Sequence, residues 1–465
     1  MQFLPVLLWT DALIWILVAV TVAFGAYAAR HEHLRVPWRQ VAGRPLAMGA
    51  LVVLAAYVTL GLLDSVHFRE RLPPVDGESR YSPEVKSVLD LLLAGLRERR
   101  ERTYSAPFAV YAHAKETMER PDGSRVREHP RLRHGGVHLD DPEARNDDVL
   151  QRIGTATVAG LAAWTVIVIG LVMWRRRNDE TWPRTLRRLM RGEEPVPWRA
   201  LFLTSGALIL LAANAAWLSR YYHVLGTDQV GQDVLLKSLK SIRTGLVIGT
   251  LTTLVMLPFA MALGVAAGYF RGWVDDVIQY LYTTLSSIPG VLLIAAAILS
   301  LQLYMALHPD SFATVAERSD ARLLFLCVIL GVTSWTGLCR LLRGETLKLR
   351  EVEYIQAAHA LGSSHVSILS RHVIPNVMHL VLITVVLDFS GLVLAEAVLS
   401  YVGVGVDPTT DSWGNMINGA RLEMAREPMV WWSLAAAFVF MFTLVLAANL
   451  FSDAVRDAFD PRLRK

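Results

Sequence analysis

Nine apolar stretches, each long enough to cross a bilayer, constrain this chain more than anything else in it. A spanning helix needs about 20 mostly apolar residues. The stretches lie near 5–29, 45–64, 154–174, 200–219, 243–268, 277–303, 321–341, 378–399 and 430–451. Only 19% of the 465 residues are charged, against about 25% in a soluble protein, so the apolar runs are not offset elsewhere. The expected class is an all-α polytopic membrane protein with about nine transmembrane helices. The first run lacks a basic start and a small-residue cleavage site, and it reads as a retained helix. Cys327 and Cys339 fall in one apolar run and read as packing thiols.

Short basic loops mark the cytoplasmic side. Arg30, Arg35, Arg39 and Arg44 lie between the first two runs, and Arg175, Arg176, Arg177, Arg184, Arg187, Arg188 and Arg191 between the third and fourth. An even number of crossings separates these loops, so both assignments agree. The N-terminus is then expected outside, the C-terminal DPRLRK inside, and the loop 341–377 in the cytoplasm.

Residues 65–153 come out on the outer face with the composition of a soluble domain. SPEVKSVLDLLLAGLRERRERT reads as an amphipathic helix capped by Ser82, with Pro83 in its first turn. APFAVYAHAKETM fits a strand or a second helix, Asp122-Gly123 a turn, and HGGVHLDDPEARNDDV a loop. His129, His134 and His138 lack the spacing and the further ligands of a metal site, so no metal is expected. HVLGTDQVGQDVLLKSLKSIRTGL, with Asp228 and Asp233 bracketing Gly231, reads as an interfacial turn and helix or as a docking surface for an external partner. Gly268 and Gly272 suit a tight cytoplasmic turn.

Two carboxylates interrupt late apolar runs, Asp388 near the middle of its span and Glu396 toward the outer end. A charge at the bilayer centre is costly, so each faces protein or water. A hydrogen bond to a neighbouring helix and a lining position in a solute pathway both fit. No Gly-Lys pair occurs, so there is no phosphate-cradling loop and no ATP hydrolysis is expected on this chain. HExxH and GxSxG are absent too, and no enzyme is expected.

QAAHALGSSHVSILSRHVIPN, Gln356 to Asn376, resembles the EAA loop of permease subunits of ATP-binding-cassette importers. Ala357, Ala358, Gly362 and Pro375 stand at the pattern's positions. The segments from His223 to Val234, Gly268 to Asp275 and Leu394 to Ile417, and the C-terminal DAFDPRLR, are similar to the C-type permeases of dipeptide and oligopeptide importers. The resemblance implies a six-helix type I importer core over 190–465. It implies an ATPase-coupling loop at 341–377 carried by Gln356, Ala357, Ala358, Gly362, Pro375 and Asn376, with Pro375 in the first turn of the next spanning helix. The implied pathway candidates are Asp388 and Glu396, and the external docking candidates Asp228, Gly231 and Asp233. The implied partners are a second homologous permease, ATP-binding-cassette ATPases that hold the ATP, an extracytoplasmic solute-binding protein and membrane lipid, with no nucleic acid and no cofactor on this chain. The implied setting is the bacterial cytoplasmic (inner) membrane, and the implied cargo is peptides or similar small solutes. Gln356 stands where the family has glutamate, and Gln232 where it has arginine. Two helices over 1–64, an external domain over 65–153 and a helix with a basic linker over 154–189 have no counterpart in the ordinary member. A sensor or assembly protein with a degenerate permease core, or a stand-alone secondary transporter, are the other readings.

Overall fold

The computed structural model describes residues 3–73, 80–119, 125–176, 180–309, 312 and 314–459, with the side chains of His33 and Leu34 excepted. The expected Asp122-Gly123 turn, Arg177 and the terminal DPRLRK lie outside the described residues. In chain order the helices are α1 (Trp9–Arg30), α2 (Glu32–Ala42), α3 (Pro45–Asp64), α4 (Val88–Leu92), α5 (Ala94–Glu98), α6 (Arg145–Trp174), α7 (Trp182–Arg191), α8 (Trp198–Leu218) and α9 (Val234–Phe270). There follow α10 (Gly272–Ser287), α11 (Gly290–Leu307), α12 (Val315–Ser334), α13 (Thr336–Arg350), α14 (Glu353–Ala360), α15 (His365–Ile368), α16 (Ile374–Tyr401), α17 (Trp413–Glu423) and α18 (Trp432–Phe459). Nine helical runs among the described residues are long and apolar enough to span a membrane. Hydrocarbon offers the backbone no hydrogen bonds, so each crossing satisfies its own as a helix.

Several expected elements change, each for a local reason. The sixth run, 277–303, is two helices, α10 and α11, because Ile288 adopts the extended backbone that a following proline favours and Pro289 has no N–H to continue the ladder. The first run starts only at Trp9; the residues before it form β1 (Phe3–Val6), paired antiparallel with β2 (His67–Glu70). Ser82 does not cap a helix. Lys86 and Ser87, as β3 (Lys86–Ser87), pair with β2, and the helix begins after Ser87, whose hydroxyl accepts from the Asp90 amide at 3.1 Å while the Asp90 carboxylate accepts from the Ser87 amide at 2.9 Å. The expected loop 134–149 becomes helical from Arg145 onward. Asp141 and Pro142 open a short 3-10 turn, and Asp147 and Asp148 sit favourably in the first turn of α6. β4 (Glu116–Glu119) and β5 (Arg125–Glu128) form a hairpin. Gly272, at φ +56, makes the expected turn, but Gly268 lies inside α9.

The described residues gather into two compact units. One comprises Met1–Val6, Trp38–Thr244 and Asp411–Phe451. In it α8 packs against both α6 and α3. Gly160, Gly206 and Gly49 let these helices approach, and Asn214 donates to Thr157 at 3.2 Å across the α6–α8 contact. The other unit comprises Leu7–Pro37, Gly245–Thr410 and Ser452–Lys465. Here α9 is central. A Cβ on Gly264 would meet the Cys339 carbonyl at 2.7 Å, and one on Gly268 the Arg343 carbonyl at 2.7 Å, both on α13. Gly331 of α12 seats Val255 of α9 in the same way. Cys327 and Cys339 are buried and free.

A branched side chain at Gly264 must therefore push α13 away from α9. Gly264→Val should destabilise the protein by about 1–3 kcal/mol, lowering its thermal midpoint in detergent. Gly25→Val, at a site with nothing within 4 Å, should not. Equal midpoints for the two variants would contradict this packing.

Candidate functional site

The segment from Glu353 to Asn376 is helical at both ends and sharply turned between them. α14 stops in a two-bond glycine cap: the Gly362 amide donates to the His359 carbonyl and the Ser363 amide to the Ala358 carbonyl, both at 3.0 Å. That closure needs a left-handed residue, and Gly362 sits at φ +77. Ser364 then caps the next helix by accepting from the Ser367 amide at 3.3 Å.

The underside of this turn is anchored. Ile355, Ile368, Val373 and Val377 are buried in one cluster with Tyr269, Leu338 and Leu342. The Tyr269 hydroxyl and His365 Nδ1 share a hydrogen bond of 2.9 Å, and Arg350 donates to the Tyr269 carbonyl at 2.7 Å. Asn376 Nδ2 donates to the Tyr354 hydroxyl at 3.0 Å and to the His372 carbonyl at 2.6 Å, tying α14 to the start of α16. Asp275 and Arg343 pair through two bonds of 2.5 and 2.7 Å, and that pairing holds the Asp275 carboxyl below the usual carboxylate range.

The outer surface is bare. Gln356 and Ala357 are exposed, Ala358 is half-buried, and Leu361 and Val366 expose 85% and 76% of their surface. Nothing lies within 4 Å of where a Gly362 Cβ would be. Gln356 donates to the Glu351 carbonyl at 3.2 Å. Pro375 stands at the start of α16, but no gap precedes it: the helix runs from His365 to Tyr401 with a widened turn at Leu369–Val373. The proline withdraws the amide that the Arg371 carbonyl would meet, and the wider turn makes room for its ring.

Asp228, Gly231 and Asp233 are not at a free surface. Asp233 is buried and caps α9 by accepting from the Leu235 amide at 2.8 Å. Asp228 accepts from the amides of Val230 and Gln232 at 3.0 and 2.8 Å and pairs with Lys237. A Cβ on Gly231 would collide with the Glu101 backbone. Residues 101–108 and 133–136 run along this loop. The Glu101 amide donates to the Gly231 carbonyl at 3.0 Å, Thr227 to the Ser105 carbonyl at 3.0 Å, and Phe108 to the His223 carbonyl at 3.0 Å. The Glu101 carboxylate accepts from the amides of Arg133, His134 and Gly135 at 2.8, 2.8 and 3.2 Å and faces His223 Nε2 at 3.4 Å; His223 Nδ1 meets Asp233 at 2.8 Å. His129 bonds the Ala112 carbonyl and His138 bonds Asp148.

Asp388 is half-buried midway along α16, with no hydrogen bond or ion pair among the described residues. Glu396 is buried and accepts from the Ser400 hydroxyl at 2.7 Å. Glu101, Tyr269 and the Asp275–Arg343 pair escape sequence reasoning. Glu101 sits in the charged end of the expected amphipathic helix and meets His223 across 122 residues, and the others pair across 96 and 68 residues.

Burial alone would lower the His223 pKa, but the bonds to Asp233 and then Glu101 outweigh it and raise it to about 9. Burial would raise the Glu101 pKa, but His223 and then the three amides bring it down to about 2. The histidine's contribution to holding Glu101 and the Arg133–Gly135 segment is therefore complete below its ordinary 6.5 and lost as pH rises through about 9. The glutamate's is complete above its ordinary 4.5 and lost as pH falls through about 2. Amide-exchange protection at Arg133–Gly135, corrected for intrinsic rates, should be highest between pH 4.5 and 6.5 and fall by pH 9.5. A flat profile would show that the imidazolium does not brace this segment.

Residues 260–465 match the family described as "Binding-protein-dependent transport system inner membrane component". The chain is 32% identical over 242 residues to the "Oligopeptide transport system permease protein OppC" of Mycobacterium tuberculosis, covering 52% of this chain and 77% of that one. It is 32% identical over 244 residues to the "Glutathione transport system permease protein GsiD" of Pectobacterium atrosepticum, covering 52% and 73%. It is 28% identical over 274 residues to the OppC protein of Bacillus subtilis, covering 56% and 83%. By its identity to relatives of which it covers more than two thirds, together with the matched region, the chain belongs to the inner-membrane permease components of ATP-binding-cassette importers.

Proposed function

We propose that this multi-pass permease subunit moves peptides or similar small solutes into the cytoplasm, driven by separate ATPase subunits that push on the Gln356–Asn376 turn. The observation that carries the reading is a bare apolar face, with Ala357, Leu361, Gly362 and Val366 exposed on a turn whose underside is packed and bonded. A soluble surface gains nothing from two large, nearly fully exposed aliphatic side chains beside a glycine; a partner's groove would bury them. Gln356 keeps the length of the family's glutamate without its charge, so its contact with the ATPase is neutral. Peptide cargo is supported by the oligopeptide and glutathione transport named for the relatives.

In this reading the core spans 190–465 and needs a second homologous permease to complete the pathway. The N-terminus is outside, and the loop 341–377 and the C-terminus are cytoplasmic. Residues 1–64 and 154–189 add three crossings that carry the external domain 65–153. A solute-binding protein then meets the segment overlying Asp228, Gly231 and Asp233. Asp388, whose carboxylate has no partner among the described residues, faces the pathway, while Glu396 supports it from within the helix packing.

Gly362→Trp places a large side chain where only a partner could collide with it. Uptake and solute-stimulated ATPase activity of the reconstituted transporter should each fall at least about tenfold with insertion unchanged. Gly362→Ala adds only left-handed strain of about 1–2 kcal/mol and should lose much less. Wild-type uptake by Gly362→Trp would reject the coupling assignment. For Asp388, both Asp388→Asn and Asp388→Leu should alter uptake rate or solute preference. No change in either would leave it a structural residue.

A further inference from the structure

The end of the α12–α13 helical run away from the Gln356–Asn376 turn holds a cavity of about 270 Å³, with Gln302, Met305, Arg318, Arg322 and Asp407 in its wall. Arg318 and Arg322 are four residues apart on α12 and so share one face. Arg322 is only 8% exposed. With its amide oxygen turned toward the guanidinium, Gln302 accepts from both terminal nitrogens at 2.9 Å. The Gly405 carbonyl accepts at 3.3 Å, and Asp407 stands at 3.5 Å. The group is thus fixed in orientation, yet its Nε is buried with no partner. Arg318, one turn earlier, is exposed and has no ion-pair or hydrogen-bond partner among the described residues. Asp407 is itself held by the Thr409 amide and hydroxyl at 2.9 and 2.7 Å.

Among the described residues, two guanidinium groups and one carboxylate leave the wall with a net positive charge. The terminal nitrogens of Arg322 are engaged by Gln302, Gly405 and Asp407, so it contributes a fixed positive charge, whereas the guanidinium fork of Arg318 is unengaged among the described residues and matches the geometry of a carboxylate. The space is below that of a site enclosing a whole drug-sized molecule, so it suits one end of a solute. We propose that this cavity binds a carboxylate of the transported solute, Arg318 supplying the donor fork and Arg322 a fixed positive charge beside it. Asp407 beside them fits a solute that also carries an ammonium group, as a peptide does. The inference rests on the peptide reading for the identity of the carboxylate, though not for the site itself.

The test uses the complete transporter, with its ATPases and solute-binding protein, in neutral phosphatidylcholine vesicles. Uptake of trialanine is compared with that of its C-terminal amide for wild type, Arg318→Gln and Arg322→Lys. The acid-to-amide uptake ratio should fall about tenfold in Arg318→Gln, with Arg322→Lys between. An unchanged ratio in both variants would overturn the proposal; the binding protein is common to all arms, so it cannot produce a difference between them. If wild type imports neither peptide, the peptide reading fails on its own, and binding of N-acetylalanine to the purified complex decides the site: weaker binding to Arg318→Gln supports it, and equal or no binding overturns it. If the wild-type preference for the acid disappears when phosphatidylglycerol is added to the vesicles, a lipid headgroup occupies the cavity and the solute assignment is wrong.

Discussion

Close backbone contact between helices is the constraint on which one of the two units depends. Lipid is as apolar as a leucine side chain, so helices in a membrane gain little from burying hydrophobic surface and rely on packing. α9 achieves this with small residues. Gly264 and Gly268 sit against the backbone of α13, and Gly331 of α12 seats Val255. At Gly249 a Cβ would strike the Phe389 ring of α16. One helix is thereby in contact with three others, and at Gly264, Gly268 and Gly331 a larger residue would meet backbone of the facing helix.

The exposed turn inherits its stiffness from that arrangement. Tyr269, at the end of α9, bonds His365 and accepts from Arg350 of α13, so the turn rests on both helices at once. Ile355, Ile368, Val373 and Val377 fill the space beneath. Burying such side chains is worth about 1.5–3 kcal/mol each, which resists bending the turn away from the helices. Asn376 adds a bond from the first turn of α16 back to Tyr354, and the widened turn before Pro375 keeps the helix continuous. A push on the bare face of Leu361 and Val366 is therefore a push on α9, α13 and α16. The glycine cap at Gly362 does the rest, by closing α14 abruptly and leaving no side chain at the apex.

In the other unit, a buried ionic cluster does comparable work in a different way. Glu101 gathers three backbone amides and His223, and His223 in turn bonds Asp233, the cap of α9. Residues 101–108 are stitched to the loop after α8 by backbone bonds at Gly231, Thr227 and His223. Trp432 closes the same place by donating to the Thr227 carbonyl at 2.9 Å. The cluster is coherent because each carboxylate is matched by donors. One unpaired member in that setting would be expensive.

Much of the architecture was legible in the amino-acid order. Spanning helices announce themselves because most residues of a crossing are apolar and every backbone group bonds locally, so neither property needs a distant partner. The glycine turn at Gly362 was legible for the same reason, since its hydrogen bonds reach back only three to five residues. Element ends were less so. Ser82 and Ser87 are equally good caps by residue type, and the strand pairing of Lys86 with Phe68 decided between them. Gly268 suited a turn in sequence and became a helix contact because Thr346 lies opposite. Only the tertiary structure brought Glu101 to His223, Tyr269 to His365 and Arg322 to Asp407. Charge and hydrogen-bond complementarity between residues up to 122 positions apart leaves no periodic trace in a sequence. Local bonding and solvent preference determined which segments are helices and where they turn; packing decided which of their polar groups would meet.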